Sequence, residues 1–234
     1  MPAIDAAADY RVRIFSPDTE FPFAGHPTLG TAHALLESGM QTKSPGRIIQ
    51  RCGIGLVTVE HDVGGALTFQ APPAKLQTLD ADLHRLLAPA LGSEALDWAT
   101  PPMTADMGIK WLVVRMRSAA ACLAARPTWH ALAELTQGCA MDGVAIYGPH
   151  DSAAPCDYEV RALYVEHGML VEDPVTGSAN ACIARILQAQ DISNYSVRQG
   201  TLLQRDGRVS VRFREAAPWI GGHTVTVVDG MLLA

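Results

Sequence analysis

Two short segments place glycine, histidine, serine and aspartate where a helix should begin. In Phe23-Ala24-Gly25-His26-Pro27-Thr28, Pro27 suits the first helical position, because its missing N–H would have no partner there. Gly25 lets the backbone approach a ligand without a Cβ in the way. The free N–H groups of a first turn and the helix dipole together favour an anion. Glu172-Asp173-Pro174-Val175-Thr176-Gly177-Ser178-Ala179-Asn180 repeats the device. Here Gly177 clears the approach and Ser178 suits an N-cap or first-turn place. A pair of such helix starts framing one site can hold a carboxylate. It can also stabilise the enolate-like charge that develops when a proton leaves the adjacent carbon. Each residue has a plainer reading as well: His26 as a helix-end residue, Asp173 as a turn former before Pro174, Ser178 as a cap.

The remaining reactive residue types point elsewhere. His26 and His33 share a helix face but no third ligand accompanies them, so no metal is expected. His61, His84, His130 and His150 read as surface or loop residues, and Trp98, Trp111, Trp129 and Trp219 as packing residues. Cys52, Cys122, Cys139, Cys156 and Cys182 form no CxxC pair, which argues against a disulfide framework or zinc and for reduced thiols in a cytoplasmic protein. A net charge of -6 without a basic cluster makes nucleic acid and anionic membrane poor partners. No apolar run is long enough to span a bilayer, and Met1-Pro2-Ala3-Ile4-Asp5 does not open a secretion signal.

The elements that must position these segments follow from periodicity. Alternation predicts a first strand over 10–15. A turn-rich link leads to a helix from Gly25, with Leu29, Ala32, Leu35 and Leu36 on its apolar side, ending near Gly39. Strands follow at 48–51, 55–60 and 66–70, the last two joined at Gly64-Gly65. Further on come a helix at 81–91, a strand at 110–116, a helix at 129–137 and strands at 143–147 and 158–164. A second turn-rich link precedes a helix over 178–188. Strands at 197–203, 208–213 and 224–228 close the chain, with Asp206-Gly207 as a hairpin turn.

The order of elements repeats. Tyr10-Arg-Val-Arg13 matches Tyr158-Glu-Val-Arg161, each followed by a glycine that opens a helix, and Ala32 and Ala184 sit seven residues beyond those glycines. An internal duplication therefore gives two lobes, 1–100 and 101–234, divided at Pro101-Pro102, with the last strand returning to the first lobe. The second half has a strand, helix and strand over 110–147 before its Tyr-x-Val-Arg strand. The first half has no counterpart, so an equivalent piece is expected upstream of residue 1.

Pro22-Phe-Ala-Gly-His-Pro-Thr-Leu-Gly-Thr-Ala32 and Glu172-Asp-Pro-Val-Thr-Gly-Ser-Ala-Asn180 closely resemble the two signatures of the PhzF-like proteins. These are relatives of the phenazine-biosynthesis isomerase, with the diaminopimelate-epimerase fold. Val197-Arg-Gln-Gly200 and Ile220-Gly-Gly222 resemble the family's C-terminal pattern. The resemblance implies an α+β fold of two pseudo-symmetric lobes, each a rolled, mostly antiparallel sheet around a central helix. It also implies a homodimer without metal or organic cofactor, acting on a small carboxylate such as trans-2,3-dihydro-3-hydroxyanthranilate by general acid/base proton transfer. By similarity His26 and Asp173 assist proton movement, and Gly25, Gly177 and Ser178 hydrogen-bond the substrate.

The family's principal acid/base is a glutamate in an Asn-x-Ser-Glu-Thr segment, which the resemblance places upstream of Met1-Pro2-Ala3. Two alternatives stand beside the isomerase. One is a two-thiol amino-acid racemase or epimerase on the same fold, although the helix starts hold His26 and Ser178 and the nearest thiol, Cys182, lies a full turn further on. The other is a non-catalytic protein that binds small acids. For the protein isolated from its native source, the expected outcome of N-terminal sequencing and intact mass is a start upstream of Met1. A native start at Met1 would favour the binding protein.

Overall fold

The computed structural model describes residues 5–16, 18–215 and 217–231; the strand end expected at Met1-Pro2-Ala3 lies outside them. The chain forms two units, one running to Phe69 and resuming at Gly221, the other covering Gln70–Ile220.

In the first unit, β1 (Tyr10–Arg11) and β2 (Ile14–Phe15) replace the single strand expected over 10–15. Residues 9–12 follow a neighbouring strand in parallel, and Ile14–Phe15 turns away to pair with β3 (Glu20–Phe21). The helix α1 (Gly25–Glu37) buries Gly25, Thr28, Leu29 and Ala32, the i, i+3, i+4, i+7 stripe of an amphipathic helix. Leu35 and Leu36 are half-buried. Pro27 is its third residue rather than its first, still within the turn where a missing N–H costs nothing. Three antiparallel strands follow: β4 (Arg47–Cys52), β5 (Gly55–His61) and β6 (Leu67–Gln70), with β1 parallel to β4. The β5–β6 turn holds because the Asp62 carboxylate accepts from the Gly64 and Ala66 N–H groups and Gly65 takes φ +81°.

The second unit begins with β7 (Lys75–Thr78), a 3-10 turn over Ala81–Leu83 and α2 (His84–Leu91). Then come β8 (Met103–Asp106), β9 (Lys110–Arg115), α3 (Ala119–Ala124), α4 (Trp129–Cys139), β10 (Gly143–Pro149) and β11 (Tyr158–Glu166). The unit closes with β12 (Met169–Asp173), α5 (Gly177–Gln188), β13 (Tyr195–Gln199), β14 (Gly207–Arg214) and β15 (Ala217–Gly222). Its strand order is β15-β14-β13-β11-β10-β9-β8-β7, with β9–β10 and β11–β13 parallel and β13–β14, β10–β11, β8–β9 and β7–β8 antiparallel. Residues 70–100, expected with the first lobe, belong to this unit because β7 pairs with β8 and α2 packs on α4. A proline pair interrupts a ladder locally; it does not decide which core the flanking segments enter.

Leu87, Leu91, Leu112, Leu132, Leu135, Val144 and Ile146 build a core under α2, α3 and α4. The other helix, α5, is buried on every side: ten of its 12 residues are enclosed, and Ala179, Ala181 and Ala184 let its neighbours come close. Ala32 and Ala184 are both fully buried, as their matched positions require.

Several expected elements differ. The link before α5 contains β12, which folds back on β11 through His167 and Gly168, both at positive φ as a type I′ hairpin demands. The strand expected over 197–203 stops at Gln199, where Gly200 at φ +84° enters a 3-10 turn over Thr201–Leu203. Asp206-Gly207 is therefore not a two-residue hairpin, since Gln199 pairs directly with Gly207. Residues 224–228 alternate Thr and Val but form no strand, and Val225, Val227 and Val228 stay exposed. Alternation needs a partner edge before it becomes a strand. Thr226 instead donates its hydroxyl proton to Glu37 and meets the His33 ring. Among the described residues no helix is long and apolar enough to cross a membrane.

One buried ion pair locks α3 to β12. Arg161 of β11 forks onto the Glu172 carboxylate and also donates to the Cys122 and Ala125 carbonyls at the end of α3. Arg161→Met leaves Glu172 buried and unpaired, at an expected cost of about 3–5 kcal/mol in urea unfolding. Adding Glu172→Gln should recover part of that loss.

Candidate functional site

Both central helices begin without a side-chain cap. At α1 the N-cap is Ala24, which has no group to offer. At α5 it is Thr176, whose hydroxyl is directed to the Asp173 carboxylate at 2.7 Å instead of to the helix. First-turn N–H groups have no intrahelical acceptor, so each start leaves donors for a ligand. Pro27 removes one of them from α1. The second unit's start keeps the N–H groups of Gly177, Ser178 and Ala179.

Asp173 ends β12, and Pro174, which cannot continue a ladder, turns the chain into α5. Ser178 is buried in the first turn, where its Oγ accepts a hydrogen bond from the Trp111 indole at 3.1 Å. An indole N–H only donates, so the Ser178 hydroxyl proton stays available for another acceptor. Trp111 fits because Gly143 lies opposite it; a Cβ there would come within 2.6 Å of the ring. Trp111, expected only to pack, is thus a hydrogen-bonding partner of a site residue.

Of the sequence-derived residues, Gly25 and His26 belong to the first unit, with Gly25 buried and His26 exposed on the first turn of α1. Asp173, Gly177 and Ser178 come together at the start of α5. The neighbouring glutamates are both engaged: Glu172 by Arg161, and the exposed Glu20 by Arg13, whose guanidinium holds the Glu20 carboxyl below its usual range.

All five cysteines are free. Cys182 is enclosed within α5, its sulfur directed at the Ala105 carbonyl, and burial pushes its thiol up. A thiol held protonated is no base, which removes the support for a two-thiol reading. Trp98 and Trp129 are corrections: both are substantially exposed, Trp98 tilted against the His84 ring and Trp129 stacked on His130. His150 lies in the loop after β10, as its surface-or-loop reading allows, and is half-buried against the enclosed carboxylate of Glu159.

Sequence reasoning missed Gln50 and Gln199, both fully buried. In the first unit the Gln50 amide donates to the Thr28 hydroxyl at 2.9 Å, and Thr28 donates to the Ala24 carbonyl. In the second, the Gln199 oxygen accepts from the Asn180 amide at 2.9 Å, and Asn180 donates to the Thr176 carbonyl. Thr28 and Asn180 each stand three residues after the leading glycine, so the duplication extends to how each helix start is tied down. A signal existed. Ile48, Gln50 and Cys52, like Tyr195, Val197 and Gln199, alternate onto the buried face of their strands, where a glutamine must find partners.

Residues 1–230 match the PhzC-PhzF family, described as phenazine biosynthesis-like protein. The chain is 30% identical over 246 residues to antisense-enhancing sequence 1 of Schizosaccharomyces pombe, covering 98% of this chain and 81% of that protein. It is 29% identical over 228 residues to the trans-2,3-dihydro-3-hydroxyanthranilate isomerase of Pseudomonas aeruginosa, covering 94% of this chain and 74% of that one. The solved structure of a protein described as a predicted epimerase from Pseudomonas aeruginosa superposes with TM-score 0.80 at 25% identity, over 100% of this chain and 82% of its own. That likeness bears out the expected α+β fold.

Trp111→Phe keeps the ring in its slot and deletes only the donor to Ser178. Its expected cost is about 0.5–1.5 kcal/mol in urea unfolding. Gly143→Ala should cost more, because the added Cβ also meets the immobile Leu163 carbonyl at 2.8 Å.

Proposed function

The chain belongs to the PhzC-PhzF, phenazine biosynthesis-like, family, and we propose that it is an isomerase that moves a proton on a small carboxylate of the trans-2,3-dihydro-3-hydroxyanthranilate kind. The observation that carries this reading is the start of α5. An oriented carboxylate, Asp173, and a hydroxyl with a free proton, Ser178, stand beside uncapped backbone donors. The relative named for this isomerisation supports the substrate class.

In the proposed reaction a C–H bond breaks and its electron pair delocalises toward the substrate carboxylate. The proton returns at another carbon as the double bonds shift, so atoms balance without an oxidant or reductant. Ser178 and the N–H groups of Gly177 and Ser178 stabilise the developing charge. Asp173 assists proton movement beside the glutamate acid/base that the family resemblance implies, and His26 with Gly25 supplies a proton-handling side chain and a backbone N–H at α1. Neither Glu172 nor Glu20 is assigned as a base, since each is held by an arginine. The assignment requires no metal or organic cofactor. A homodimer, implied by the family resemblance, completes the reading and is checked by sedimentation velocity; the unpaired cysteines support a cytoplasmic setting.

The test is turnover of trans-2,3-dihydro-3-hydroxyanthranilate in deuterium oxide, followed by NMR and mass spectrometry. Deuterium at carbon is the expected outcome, with Asp173→Asn and Ser178→Ala each lowering kcat by about 10²–10⁴-fold. Thermal stabilisation by the compound without any exchange would replace the enzyme with a binding protein.

A further inference from the structure

We propose that Gln199 is a positioning residue, whose side-chain amide fixes the Asp173 carboxylate and the first turn of α5 in one frame through the Thr176 hydroxyl. The proposal rests on Asp173 belonging to the reactive site and names the group that holds it there.

The Gln199 amide uses every hydrogen-bonding capacity it has. Its nitrogen donates to the Asp173 carbonyl at 3.0 Å and to the Thr176 hydroxyl at 2.9 Å. Its oxygen accepts from the Thr176 N–H at 3.1 Å and from the Asn180 amide at 2.9 Å. The two donors set a direction. An amide N–H cannot accept, so the Thr176 oxygen receives from Gln199 and its single proton is committed onward, to the Asp173 Oδ2 at 2.7 Å. A glutamate at 199 would keep the size and the acceptors but would draw that proton toward itself.

Sheet topology explains why residue 199 has this task. On one edge of β11, Asp173 of β12 pairs with Ala162 and Gln199 of β13 with Val160, so the two strands share that edge and α5 starts in the fork between them. The fork is tight. A Cβ at Gly200 would lie 2.7 Å from the Pro174 carbonyl, and one at Gly207 would lie 3.0 Å from it. Behind it, the next residue is pinned as well: Thr201 donates to the buried Glu159 carboxylate, which His150 meets from the other side. Among the described residues the corresponding tie in the first unit, Gln50 on Thr28, meets no aspartate, so the relay is seen there in the second unit alone.

Three single variants and one double test the proposal on the same exchange reaction. Gln199→Glu and Thr176→Val should each lower kcat about tenfold or more while KM stays within about threefold, and Thr176→Ser should restore kcat. The double Gln199→Glu/Thr176→Val should be no slower than the worse single, because both break one relay. Unchanged kcat in a folded Gln199→Glu, or losses that multiply in the double, would overturn the proposal. If Gln199→Glu does not fold, the contrast of Thr176→Val with Thr176→Ser decides, and equal kcat in those two overturns it. A substrate-free readout separates this proposal from the functional reading. A crystal structure of Gln199→Glu should show the Thr176 hydroxyl turned to residue 199 and the Asp173 carboxylate released. If wild-type protein shows no exchange, the isomerase reading fails and that structure alone decides; an undisturbed Asp173 then refutes the relay.

Discussion

A helix that starts inside a protein leaves backbone donors with no intrahelical acceptor, and most proteins cover them with a capping side chain. Here neither central helix does. The structure depends instead on a buried glutamine from the strand that follows each helix, which holds the first turn from the side and leaves its N–H groups unblocked. Tying the turn laterally secures the helix without using the groups that give it an affinity for anions.

That lateral tie accounts for much of the surrounding sequence. Gly200 and Gly207 lack side chains because the Pro174 carbonyl occupies the space a Cβ would need. Thr201 and Glu159 fix the turn just after Gln199, so the glutamine projects from a strand end that is itself anchored. On the opposite flank, Trp111 holds the Ser178 oxygen, and Gly143 gives up its side chain to let the indole lie there. Arg161 neutralises Glu172, which leaves the adjacent Asp173 as the carboxylate free of an arginine at the turn into α5. The Gln199 amide, the Thr176 hydroxyl and the Ser178 oxygen are thus each bonded, and their bonds have directions, while among the described residues the buried Asn180 Oδ1 is left without a partner.

The two units use one plan with different residues. Ala24 and Thr176 both offer a carbonyl to the side chain four residues on, but Thr28 receives the glutamine's N–H whereas Asn180 gives its own. Tyr10 pairs with Gln50 and bonds it, while its sequence counterpart Tyr158 pairs with Val197. Duplication preserved the architecture of the helix start and let its chemistry diverge, which fits a functional asymmetry between the two.

Much was legible from sequence because it depends on local rules. The 3.6-residue stripe of α1, the small residues around α5, the glycine-led helix starts and the strand pair at β4 and β5 follow from periodicity and backbone freedom. The paired motifs also fixed the family. What failed needed partners from elsewhere in the chain. The Thr-Val alternation over 224–228 has no edge to join, 70–100 enters the second core, and β12 pairs back where only a turn-rich link was expected. The sequence by itself determined where helices begin and which residues there can do chemistry. Only the tertiary structure decided which bonds those residues make: Ser178 to Trp111, Glu172 to Arg161, and Asp173 through Thr176 to Gln199, because partners 11 to 67 residues away meet only once strands have chosen their edges.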